Sequence, residues 1–155
     1  KDRKIKNLCD YVFGVEVGLD TNARKNRSGT NFANLISERF RSENICFQAE
    51  VSSSNFRLNL GSDVKRFDFV VWRQNVTYLI EANFYSGGGS KLNEVARAYI
   101  EIAKKISCLP KYKFIWITDG WGWHDARNKL QEAYKSVRIY NLANLYLFMN
   151  ELKNA

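Results

Sequence analysis

The 155-residue chain has room for one hydrophobic core, and its 24 lysines and arginines outnumber 16 aspartates and glutamates to leave a formal charge of +8. No apolar run is long enough to span a bilayer and no signal-peptide pattern opens the chain, so a membrane partner is not expected. One histidine and three scattered cysteines (Cys9, Cys46 and Cys108) fit no zinc spacing.

A pI near 9.5 favours a polyanion, nucleic acid first, because lysine and arginine neutralise phosphates and release counterions. Unpaired thiols suit a reducing, cytoplasmic compartment and are read as buried. The chain opens on Lys1 rather than Met, as a fragment or processed form would.

Residues 1–13 begin basic and turn apolar at Tyr11-Val12-Phe13, a helix end or short strand. The second half of 14–29 reads as a loop by composition. From charge alone it is a solvated basic loop. Against DNA, Arg24 and Arg27 could fork onto guanine, Asn22 and its neighbour Asn26 onto adenine, and Lys25 onto phosphate.

A helix follows from Asn31 to about Arg41, capped by Thr30 or Asn31, with Phe32, Leu35, Ile36 and Phe40 inward. Glu38 lies off that stripe, placed either to pair with Arg39 or Arg41 or to join an acidic site. Ile45 to Val51 reads as a strand, and Ser52–Asn55 and Asn59–Asp63 as turns.

Two apolar runs, Arg66–Trp72 and Tyr78–Phe84, with a short connection between them, form a hairpin signal. Asp68 stands near the entry of one strand and Glu81 at the exit of the other. Antiparallel pairing would bring these acids together. They are either surface charges with local partners or, with the Ala82 carbonyl and Asn83 beside them, oxygen ligands for a hard cation such as Mg²⁺. Both interrupt apolar runs, where an unpaired carboxylate is costly, and that favours the metal.

Ser86-Gly87-Gly88-Gly89-Ser90 is a glycine loop allowing close approach to a ligand, without the spacing of a Walker motif. It feeds a helix from Lys91 to about Ser107, capped by Ser90, with Leu92, Val95, Tyr99, Ile102 and Ile106 inward. Its N-terminus would favour a phosphate. Lys91, Glu94 and Arg97 share a polar face, for DNA or for solvent.

Lys113–Thr118 is a strand ending in an Asp119-Gly120 turn. Trp121-Gly122-Trp123-His124 is an aromatic loop, its tryptophans either stacking on bases or anchoring the core edge, with His124 structural. Asp125 caps a helix to about Tyr134, Val137–Tyr140 is a last strand and Leu142–Leu152 a closing helix. The order predicts an α/β fold, a mixed central sheet flanked by helices.

Asp68, Glu81-Ala82-Asn83 and a following helix with Lys91 and Arg97 resemble the PD-(D/E)xK restriction-endonuclease-like core. Gly18-Leu19-Asp20-Thr21-Asn22-Ala23-Arg24-Lys25-Asn26-Arg27, Glu81-Ala82-Asn83-Phe84-Tyr85, Gly88-Gly89-Ser90-Lys91-Leu92-Asn93-Glu94 and Thr118-Asp119-Gly120 resemble the DpnII/MboI type II restriction endonucleases. The likeness spans nearly the whole chain, as a single nuclease domain over residues 1–155 that corresponds to the C-terminal catalytic portion of longer proteins.

The resemblance implies Mg²⁺-dependent hydrolysis (Mn²⁺ as a substitute) of double-stranded DNA at GATC, cut before the G in its unmethylated form. A palindromic site implies a homodimer. By position, Asp68 and Glu81 become metal ligands, Glu38 a helix carboxylate, and Asn22, Arg24, Lys25, Arg27, Ser90, Lys91 and Arg97 DNA contacts. Asn83 stands where the general pattern has lysine. An amide brings no charge, so Asn83 is left to orient the attacking water and Lys91 to supply the cation. The competing readings are a DNA-binding module without chemistry and a repair or junction-resolving nuclease of the same fold.

Overall fold

A computed structural model describes residues 21–56, 58, 60 and 65–154, with the backbone alone over 21–29. Its elements are α1 (Thr21–Ser42), β1 (Gln48–Ser52), β2 (Arg66–Arg73), β3 (Val76–Phe84), α2 (Ser90–Ser107), β4 (Tyr112–Asp119), α3 (Arg127–Tyr134), β5 (Arg138–Tyr140) and α4 (Leu145–Asn154). The sheet runs β1-β2-β3-β4-β5, with β2 antiparallel to both β1 and β3, and with β4 and β5 parallel to β3. Parallel neighbours need crossovers, and α2 and α3 provide them. The expected mixed sheet flanked by helices is what forms.

Strand alternation divides the core between the two faces. Phe69, Val71, Tyr78, Ile80, Ile115 and Ile117 pack under α1 and α4, where Phe32, Ile36, Phe40, Leu145 and Phe148 meet them. Val70, Leu79, Phe114 and Trp116 pack under α2 and α3, against Leu92, Ala96, Tyr99 and Ala133. Each fully buried Val, Leu, Ile or Phe among them contributes roughly 1.5–3 kcal/mol.

In β2 the alternation breaks beside Asp68, since Phe67 joins the α2 face although Phe69 belongs to the other. The flanking β1–β2 pairs are Ala49↔Phe69 and Val51↔Phe67, and between them Glu50 adopts φ 55, a left-handed conformation uncommon for a side-chain-bearing residue. The β2–β3 ladder ends at Phe69↔Ile80, after which β2 keeps only β1 and β3 keeps only β4. The two central strands part at that point.

Several expectations are corrected. Thr21 to Gly29 continue α1 as helix rather than loop, because low apolar content does not itself forbid helix and no proline interrupts the run. The hairpin closes over Gln74 and Asn75 alone, with Gln74 at φ 48. Ser52–Asn55 becomes a 3₁₀ turn over Ser53–Phe56.

Gly89, at φ 145, occupies the cap position of α2, and Ser90 is its first helical residue without a capping bond. Ala96 and Ala103 are buried, whereas Val95 and Ile102 are only partly so. Ala126, not Asp125, precedes α3. Cys46 and Cys108 are exposed thiols rather than buried ones. Tyr11–Phe13, Cys9, Asn59 and 61–63 lie outside the described residues. Among those described, no helix is long and apolar enough to cross a membrane.

Candidate active site

Where β2 and β3 part, the backbone N–H of Ala82 has lost its ladder partner, and the Asp68 carboxylate takes it, Oδ2 accepting at 2.7 Å. One step beyond the last pair, Glu81 comes beside Asp68 and turns to the α2 face. It is buried, at 5 % exposure. Its Oε2 accepts from the Tyr99 hydroxyl at 2.6 Å, and its Oε1 stands 3.1 Å from the Lys65 ammonium while accepting no directed hydrogen bond.

Tyr99 Oη also lies 3.0 Å from Asn83 Oδ1, which accepts from Trp116 Nε1 at 3.1 Å. A phenol has one proton to give. With Glu81 ionised that proton goes to Glu81, the shorter contact, and Asn83 rests on Trp116. With Glu81 protonated, its own proton can go to Tyr99, and the phenol turns to Asn83.

Burial pushes the Glu81 carboxyl up to about 7, with the Asp68 charge adding to the rise while Lys65 and the Tyr99 hydroxyl oppose it. Burial likewise raises Asp68, against the Ala82 N–H; Glu50 adds to the rise and Lys65 opposes it. Tyr99 is held far above the usual phenol range by burial and by Glu81, and Tyr85 is pushed up to about 12 by the same two causes. Two crowded carboxylates, each resisting ionisation, form a site short of positive charge.

The donor set fits a hard divalent cation. Asp68 and Glu81 supply carboxylate oxygens, and Glu81 Oε1 is buried without a directed donor. Magnesium in particular uses few protein carboxylates and keeps several waters. Among the described residues no group of three or more His, Cys, Asp or Glu gathers.

The family model described as DpnII restriction endonuclease matches residues 1–151. The chain belongs to that family. It is 52 % identical over 157 residues to the type II restriction enzyme MboI of Moraxella bovis, covering 99 % of this chain and 56 % of the relative. DpnII of Streptococcus pneumoniae is 44 % identical, covering 97 % and 57 %, and MjaIII of Methanocaldococcus jannaschii is 47 % identical, covering 92 % and 54 %. The chain thus spans about half the length of the curated relatives it matches.

Measured against the family expectation, Asp68, Glu81, Ala82 and Asn83 come together. Glu38 does not join them. It is exposed on α1, the helix of the other face, and Arg39 and Arg41 donate to the Leu142 carbonyl and Ser37 Oγ instead. Ser90, Lys91 and Arg97 are exposed on α2. Asn22, Arg24, Lys25 and Arg27 lie on helical backbone, their side chains outside the description.

The glycine loop makes its close approach to the chain itself. A Cβ on Gly88 would lie 2.5 Å from Asp125 Oδ2, and one on Gly122 would lie 2.3 Å from the Gly87 carbonyl. Trp123 is an anchor, its Nε1 donating to Thr118 Oγ1 at 2.8 Å, whereas Trp121 is 77 % exposed and stacks on His124.

Two site residues escape the sequence reading, Lys65 and Tyr99. A tyrosine inside an apolar helix stripe was the available signal, since a buried phenol needs a polar partner. Lys65 gave none, being one cation among many.

Proposed function

We propose that this chain is the catalytic portion of a type II restriction endonuclease that hydrolyses double-stranded DNA at GATC with Mg²⁺, leaving 5′-phosphates. The observation that carries the reading is the Asp68–Glu81 pair at the parting of β2 and β3, held by the Ala82 N–H, Tyr99 and Lys65. Family membership supplies the reaction class, and the palindrome suggests a two-fold homodimer with one site per strand.

Asp68 and Glu81, with the Ala82 carbonyl, would hold the ion. When bound, it supplies a water of lowered pKa and neutralises charge on the phosphate. The Ala82 N–H fixes the orientation of Asp68, and the Tyr99 hydroxyl fixes that of Glu81. Asn83 has its amide oxygen engaged by Trp116, which leaves its nitrogen end to orient the attacking water. The exposed Ser90, Lys91 and Arg97 of α2 take neighbouring phosphates.

The test is incubation of the full-length protein with GATC and scrambled duplexes, methylated and unmethylated, with and without Mg²⁺. Asp68→Ala and Glu81→Ala should each slow cutting roughly 1,000-fold, about 4 kcal/mol of barrier, while duplex affinity persists. Binding without cutting in any ion would favour the module without chemistry. Cutting of branched but not linear DNA would favour a junction nuclease.

A further inference from the structure

We propose that Lys65 is the catalytic cation of this site, the positive charge that stands beside the scissile phosphate. The inference rests on the nuclease reading above.

The need follows from counting charge. Asp68 and Glu81 together cancel one divalent ion, so the negative charge that develops on a phosphate under attack would be left unbalanced. Asn83 cannot answer it, being neutral and turned onto Trp116. Lys91 is exposed on α2. Lys65 already has its ammonium 3.1 Å from Glu81 Oε1.

Three features hold it there independently. Its backbone is clamped to the turn after β1, where the Lys65 N–H donates to Ser53 Oγ at 3.0 Å and the Ser53 N–H donates to the Lys65 carbonyl at 2.7 Å. Its ammonium stands over two rings, with Nζ 5.3 Å from the Tyr99 centroid and 5.9 Å from that of Phe67. Its side chain is only 24 % exposed. An ammonium carried on a fixed backbone and a sheltered stem moves by its last bonds alone. With Glu81 Oε1 given over to a divalent ion, Lys65 would be released from that oxygen and its charge would be free to meet a phosphate.

The role predicts an unusual pair of effects. Without DNA, Lys65 competes with a metal for Glu81, so removing its charge should tighten metal binding. With DNA bound, the same change should slow the reaction.

The experiment uses the full-length protein, with Mn²⁺ as the metal probe by calorimetry, duplex binding in Ca²⁺, and single-turnover cutting in Mg²⁺. Lys65→Met keeps the stem and removes the charge, and it should bind Mn²⁺ more tightly, hold duplex within about threefold of wild type and cut about 100-fold more slowly. Lys65→Arg should cut within about tenfold of wild type.

Lys65→Met that cuts like wild type overturns the inference alone. So does a variant that loses Mn²⁺ binding together with cutting, which would make Lys65 a strut. A wild-type protein that cuts nothing in any ion overturns the nuclease reading, and this inference with it.

Discussion

Glu81 is buried, and burial works against its own ionisation. Its carboxyl titrates near 7 in the fold and near 4.5 as a free side chain, so between those values the folded chain binds more protons than the unfolded one. Stability conferred by the protonated form is therefore full below about 4.5 and is lost as pH rises through about 7. In EDTA, urea denaturation of the wild type should show a loss of about 2–3 kcal/mol between pH 5 and pH 8. Glu81→Gln should remove most of that slope and leave the smaller part, of the same sign, that Asp68 contributes. An equal slope in both proteins would place the burden on other groups. The two acids were legible in the sequence because a charge inside an apolar strand is conspicuous. Lys65 and Tyr99 were not, because what matters about them is contact across strands and layers, and no spacing along the chain encodes it.

At the scale of elements, the glycines sort into those that the packing requires and those that it tolerates. Gly120 sits at φ 115 at the end of β4, and a Cβ there would lie 2.2 Å from the Tyr85 carbonyl oxygen. That carbonyl accepts the Gly122 N–H at 2.8 Å, and the Tyr85 N–H donates to the Asp119 carbonyl at 3.0 Å. Gly120→Ala must break this join, which fixes the strand just beyond Glu81 and Asn83, and should cost about 3 kcal/mol or more by chemical denaturation. Gly87→Ala meets nothing within 4 Å and should change stability by less than about 0.5 kcal/mol. Indistinguishable variants would show that the join is not what holds this end of β3. The order of elements was readable throughout, since apolar period marks strands and helices that bury a face. Their ends were not. The polar first turns of α1 carry no apolar stripe to betray a helix, and Gly89 outcompetes Ser90 as the cap because the chain enters α2 at φ 145, where only glycine is unstrained.

Across the whole molecule, net charge overstates what is available to DNA. Arg66, Lys104, Lys113, Lys129, Arg138 and Lys153 already face Glu50, Glu101, Glu151, Glu132, Glu151 and Glu43 respectively. A cation that keeps its carboxylate releases no counterion when a phosphate arrives, so the salt dependence of binding should report the cations that meet phosphate and not the total of 24. Tyr99 on the inner side of α2 reaches Glu81, and Lys91 and Arg97 on the exposed side of the same helix are the phosphate contacts proposed above. Measured in Ca²⁺ on the full-length protein, Lys91→Ala and Arg97→Ala should each flatten the plot of log affinity against log salt by about 1, equally for GATC and scrambled duplexes. Lys129→Ala, whose ammonium is 2.8 Å from Glu132, should leave the slope as it is. A slope that falls for Lys129 and holds for Lys91 and Arg97 would move the DNA off α2 toward α3, and with it the direction from which a phosphate enters between Asp68 and Glu81.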